Sequence, residues 1–169
     1  MTTTGTDIGS VQADIDRLSR ELEELVLPAF TLETAWQIGS SIVRVALERR
    51  LGIAVDIRRP HHVLFHAALP GATADNDAWI ERKAATAFRF ESSTLLLQRR
   101  FAQSGASPFE QGWLDEQSYT LSGGAVPVVV SGAGVVAVAT VSGLADVDDH
   151  AMVVDALRAH IPVAAMPPS

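Results

Sequence analysis

GGAVPVVVSGAGVVAVATVSGLA, residues 123–145, carries no charged side chain and is followed at once by Asp146-Val147-Asp148-Asp149-His150. Its length would suit a membrane helix, which needs about 20 mainly apolar residues. Its texture does not: Gly123, Gly124, Pro127, Gly132, Gly134 and Gly143 each disfavour a helix interior. Most of the rest is β-branched, including Val126, Val128 to Val130, Val135, Val136, Val138, Thr140 and Val141. Ser131-Gly132-Ala133-Gly134 separates two such runs, so the pattern predicts a strand, a tight turn and a second strand. Pro127 places the start or edge of a strand. Neither run alternates apolar with polar residues, which predicts cover on both faces. No membrane span is expected here.

The chain has 169 residues, a length that suits a single domain with its own core over 1–169. It is 47% hydrophobic and 20% charged, with a formal net charge of −7. An acidic balance argues against nucleic acid or an anionic membrane as partner. With no cysteine, disulfides, thiolate chemistry and Cys-ligated metals are excluded. MTTTGTDIGS shows no basic segment followed by an apolar one, so a cytoplasmic protein is expected.

Outward from the hairpin, helical and extended periods alternate. Ile8, Val11, Ile15, Leu18, Leu22 and Leu25 follow a heptad seam, predicting a helix over 8–26 that Pro28 ends. That seam suits packing on its own domain or against another subunit. Thr31 caps a second helix whose apolar positions are Leu32, Ala35, Trp36, Gly39, Ile42, Val43, Ala46 and Leu47. IAVDIR (53–58) and HVLFHAAL (62–69) read as a second hairpin. Asp75 or Asn76 starts a third helix, Ser92 or Ser93 a short fourth, and Glu110 to Tyr119 a helical turn. Asp148 or Asp149 opens a last helix with Val147, His150, Val154, Leu157 and Ile161 on one face, and 163–169 is a tail. Two hairpins with helices on both faces make an α+β domain around an antiparallel sheet.

The residues able to do chemistry are few. On a strand His62 and His66 would stand about 13 Å apart, too far to share a metal ion. His66 suits a hydrogen-bonded, half-buried role or an axial ligand. Asp148-Asp149-His150 suits helix capping, or a carboxylate–histidine pair at an anion-binding helix start. Asp149 with His150 could also serve as an acid/base pair on a small organic acid. Asp56, within an apolar strand, needs a partner, and Arg58 shares its face. Arg82 and Lys83 on the third helix suit ion pairing or a ligand carboxylate. Gly123-Gly124 and Ser142-Gly143 flank the two strands and suit turns or close approach of backbone to a ligand. Neither nucleotide-binding glycine signature is present.

Gly123-Gly124-x-x-Pro127, Gly132-x-Gly134-x-Val136, Val141-Ser142-Gly143-Leu144 and Asp148-Asp149-His150 together resemble the haem-degrading domain superfamily. That group includes bacterial haem-binding proteins, the glycolate-operon small protein and a C-terminal domain of some cobalamin adenosyltransferases. VDIRR (55–59), LFHAALPGATADNDAWIERK (64–83) and FRFESS (88–93) are similar to a short bacterial and fungal branch of it. The resemblance covers about residues 30 to 160. It implies a three-layer α-β-α, profilin-like fold with a five-stranded antiparallel sheet. It implies a homo-oligomer, ring-like or higher, and haem or another tetrapyrrole as ligand, with or without slow haem degradation. In that setting His150 or His66 would be the axial ligand, and Arg82 and Lys83 the propionate partners. Asp149, Ser142, Gly143 and Asp56 would line the site. Fungal members of the branch are instead partners of the machinery for tail-anchored membrane proteins, which implies a non-catalytic oligomeric adaptor as the alternative.

Overall fold

The computed structural model describes residues 5–110 and 112–162, and the tail expected over 163–169 lies outside them. The elements are α1 (Gly5–Glu24), β1 (Val26–Leu27), α2 (Leu32–Glu48), β2 (Ala54–Arg59), β3 (His62–Ala68), α3 (Ala74–Phe90), α4 (Thr94–Ser104), β4 (Ala125–Val130), β5 (Gly134–Ser142) and α5 (Asp146–Arg158). The sheet order is β1-β4-β5-β2-β3.

The uncharged stretch is the hairpin β4–β5, with Val128 opposite Ala137 and a bulge before Val129. Both its faces are covered. Val126, Val128, Ala137, Ala139 and Val141 join Ile38 and Ile42 of α2 and Val153, Val154 and Leu157 of α5 in the main core. The alternate residues Ala125 and Val138 pack under Ala84 and Ala87 of α3. Period-two alternation thus separates two buried faces rather than a wet one from a dry one.

The sheet is mixed, not wholly antiparallel as expected. β1 runs parallel to β4, Val26 opposite Val129 and Leu27 opposite Val130, while the other pairings are antiparallel. The chain enters this edge from α1 and leaves through Pro28, so two residues suffice to extend the sheet. Val26 therefore belongs to a strand and not to the first helix.

The heptad seam is used within the chain. Ile15 and Leu18 pack with Leu95 and Leu96 of α4, flanked by Val11 and Leu22. On α2 the buried stripe is Ala35, Ile38, Gly39, Ile42 and Ala46. Leu32, Trp36 and Leu47, expected on the apolar face, are mostly exposed. Gly39 is there for contact: a Cβ would meet the Phe65 ring at 2.3 Å.

Three boundaries differ from expectation. α3 starts after Thr73, whose N–H donates to Asn76 Oδ1 at 2.8 Å. α5 starts at Asp146, and Val147 is exposed rather than on the buried face. Residues 110–119 contain turns and no helix among the described residues.

Candidate functional site

Polar side chains gather on the α3 face of the sheet. Asp56 sits on β2, opposite Thr140 of β5 and His66 of β3, and is fully buried. A carboxylate there must be paired, because desolvating a lone charge is prohibitive. Arg58 supplies a two-pronged bond, Nε to Oδ1 at 2.5 Å and Nη2 to Oδ2 at 2.8 Å. The hydrogen bond that Arg58 donates to Asp56 holds the guanidinium above its usual range against the opposing effect of burial, and Glu81 adds to it.

His66 is the other partner of Asp56, with Nδ1 3.3 Å from Oδ2. Its Nε2 lies 3.3 Å from Asp77 Oδ1 on α3. The imidazole is 37% exposed, the Asp77 side chain 49%. A buried carboxylate therefore orients the ring while Nε2 faces the outer end of α3. Asp77 and Glu81, one turn apart on α3, complete this cluster and were not picked out from the sequence. Their i,i+4 spacing opposite Arg58 and His66 was the available signal.

A second cluster joins α3 to β5 and α5. Lys83 Nζ donates to Asp149 Oδ2 at 2.9 Å and to the Val141 carbonyl at 3.1 Å. Asp149 also accepts from Leu144 N–H at 2.9 Å and Gly143 N–H at 3.3 Å. Burial pushes the Asp149 carboxyl up, and Lys83 and the two amides only partly oppose it. Gly124 makes room, since a Cβ would stand 2.5 Å from the Val141 carbonyl and 2.8 Å from Lys83 Nζ. Its φ of +127° also suits glycine alone. A polar cleft of about 290 Å³ opens above this pair, bordered by Trp79, Ser142, Gly143 and Asp146. Arg82 is turned outward, its guanidinium 4.0 Å over the Trp79 ring.

His150 is separate from both clusters. Its Nε2 is 2.6 Å from Glu21 Oε1 on α1, and its buried Nδ1 has no partner. Arg158 reaches the same Glu21. Burial raises the Glu21 carboxyl, but His150, Arg158 and Arg17 outweigh it and hold it below its usual value. Asp149 and His150, adjacent in sequence, thus serve different partners and form no acid/base pair. The structure brings Asp56 to His66, and Lys83 to Asp149, Ser142 and Gly143. It leaves Arg82 and His150 apart from either group.

A larger cleft of about 600 Å³ lies between the ends of α1 and α5, with Val26, Leu27, Pro28 and Ile161 among its walls and Arg20 and Arg158 at its rim. His66 and His150 line neither cleft. Among the described residues no helix is long and apolar enough to cross a membrane.

Comparison with known proteins fits this architecture. A UPF0303 protein of Streptomyces avermitilis is 48% identical over 144 residues, covering 85% of this chain and 88% of the relative. A UPF0303 protein of Streptomyces coelicolor is 47% identical over 145 residues, covering 83% and 92%. The crystal structure of Ybr137w superposes with a TM-score of 0.81 at 30% identity, covering 90% of this chain and 91% of that one. A haem complex of PduOC shares the fold, with a TM-score of 0.65 at 20% identity over 78% and 94% of the two chains. The model of the haem-degrading HbpS-like proteins matches residues 30–158, which span both polar clusters, and the chain belongs to that family.

Proposed function

We propose that this protein binds haem or a related tetrapyrrole, with His66 as the iron ligand. The observation that carries the reading is the imidazole held on Nδ1 by the fully buried Asp56, with Nε2 turned toward the partly exposed end of α3. Metal-binding histidines are oriented in this way, by a carboxylate on the other ring nitrogen. Asp77, half exposed, is the side chain that must turn aside. His150 suits the role less, because its Nε2 is taken by Glu21 in the interior. Of the two cations read as propionate partners, Lys83 is committed to Asp149 and Arg82 remains at the surface. Asp149, held by the Gly143 amide, acts from behind by fixing Lys83 of α3 at the end of β5, beside Ser142. Haem, when bound, would supply the redox chemistry, while the chain supplies ligand, orientation and charge.

A second reading, a non-catalytic oligomeric adaptor, is favoured by one observation. Leu32, Trp36 and Val63 are 58%, 64% and 50% exposed. The heptad seam and the uncharged strands, which an adaptor could have used for assembly, are covered within the chain.

Haemin titration followed at the Soret band tests the first reading, with serum albumin as a control. A saturable, stoichiometric shift is expected that is lost in His66→Ala and kept in His150→Ala. Adding a reductant to the saturated complex then shows whether the band decays through turnover. A weak, unsaturable shift, or one unchanged in His66→Ala, would sink ligation by His66.

A further inference from the structure

The polar cleft beside Lys83 carries more than the ion pair already described. Lys83 and Asp149 neutralise each other, and both Asp149 oxygens are taken, Oδ2 by Lys83 and Gly143 and Oδ1 by Leu144. Two further carboxylates border the cleft, Asp75 of α3 and Asp146 of α5. Each is fixed by a neutral donor. Trp79 Nε1 donates to Asp75 Oδ2 at 3.0 Å, and Gln98 Nε2 donates to Asp146 Oδ2 at 2.6 Å. Among the described residues neither carboxylate meets a cation. Their orientation is therefore set while their charge stays uncompensated. Gly123 allows the placement of Asp146, because a Cβ there would stand 2.6 Å from its carbonyl oxygen and 3.0 Å from its Cβ. An independent feature is Ser142, which borders the same cleft and is only 3% exposed. Its hydroxyl has no hydrogen-bond partner among the described residues. A hydroxyl so buried is ordinarily satisfied.

We propose that this cleft binds a small primary ammonium ion, held by Asp75, Asp146 and Ser142. An ammonium group has three N–H donors and no acceptor. These side chains offer three acceptors, and the two that are charged make the stronger bonds. The volume of about 290 Å³ falls at the lower end of ligand pockets, about 300–1,000 Å³, and suits a small molecule rather than a tetrapyrrole. An anion would face Asp75 and Asp146. The positive ends of α3 and α5, which attract anions elsewhere, are already answered by Asp75 and Asp77 and by Asp146, Asp148 and Asp149. Among the described residues no three His, Cys, Asp or Glu side chains are grouped to hold a metal ion. His66 lines no part of this cleft, so the inference is independent of the haem reading.

The test reads Trp79, which borders the cleft and bonds Asp75. The other two tryptophans, Trp36 and Trp113, are mostly exposed, so Trp36→Phe/Trp113→Phe leaves Trp79 as the reporter in the full chain. Titration with ethylammonium chloride at constant ionic strength is expected to give a saturable change in emission. Ethanol, of similar size and uncharged, and tetramethylammonium, charged but without N–H, are expected to give none. Asp146→Asn should weaken binding by about tenfold or more, the size of one lost charged hydrogen bond, with circular dichroism unchanged. Ser142→Ala should weaken it less, and it serves as the second variant if Asp146→Asn disturbs the fold. Glu33→Gln, exposed on α2, should leave it unchanged. A change that tetramethylammonium reproduces would be ionic screening and would overturn the site. Saturation by ethanol would overturn the requirement for charge. Ethylammonium binding that ignores both Asp146→Asn and Ser142→Ala would place it elsewhere and overturn the assignment. The absence of saturation by emission, together with no heat on calorimetric titration of the parent chain, would overturn it as well.

Discussion

Lys83 and Asp149 are joined 66 positions apart with side chains only 3% and 2% exposed. Removing one partner of such a pair strands a buried charge and costs about 3–5 kcal/mol, whereas replacing both by apolar residues can be nearly neutral. Lys83→Met is therefore expected to lower urea stability by about 3–5 kcal/mol. Lys83→Met/Asp149→Leu should recover much of that loss. A double variant that adds the two single losses would show that the side chains act independently. Glu21 gives a pH prediction. Its folded-state value lies below the ordinary 4.5, so its ionised form stabilises the fold above that value, and the contribution fades as pH falls through the lowered one. Glu21→Gln should cost about 1–3 kcal/mol at pH 7. The gap to the parent should close below pH 4.5, and a gap constant with pH would refute the linkage. Asp149 has the opposite sign. Its folded-state value lies above 3.8, so its contribution is present at lower pH and lost as pH rises through the raised value.

At the level of elements, what could be read from the sequence was what depends on near neighbours. The β4–β5 hairpin declared itself through β-branched runs about a glycine turn, and Asp56 found Arg58 because two residues on a strand share a face. β1 did not, since two residues have no period and its parallel partner Val129 is about a hundred positions away. The stripe on α2 was misplaced because Leu32, Trp36 and Leu47 keep helical spacing with the buried residues yet lie at their flank. Only the position of β3 and Phe65 beneath α2 decides which side is covered. For the site, the residue types were legible and the pairings were not. His150 with Glu21 and Lys83 with Asp149 join distant elements. Neither hydrophobic period nor cap signals specify such long-range contacts.

Across the whole molecule, α1 is an addition to a core that is complete without it. The main core draws on the sheet, α2 and α5 but on no residue of α1, and the family match begins at residue 30. What α1 contributes is the seam over Leu95 and Leu96, and Glu21 for His150 and Arg158. Burying Ile15 and Leu18 stabilises by about 1.5–3 kcal/mol each. Against a typical total of about 5–15 kcal/mol, their loss weakens such a fold without abolishing it. Removing residues 1–24 should therefore leave a single cooperative thermal transition at lower Tm, with increased dye binding where Leu95 and Leu96 are uncovered. A truncated chain with no cooperative transition would make α1 part of the folding unit, and an unchanged Tm would mean that the seam adds nothing.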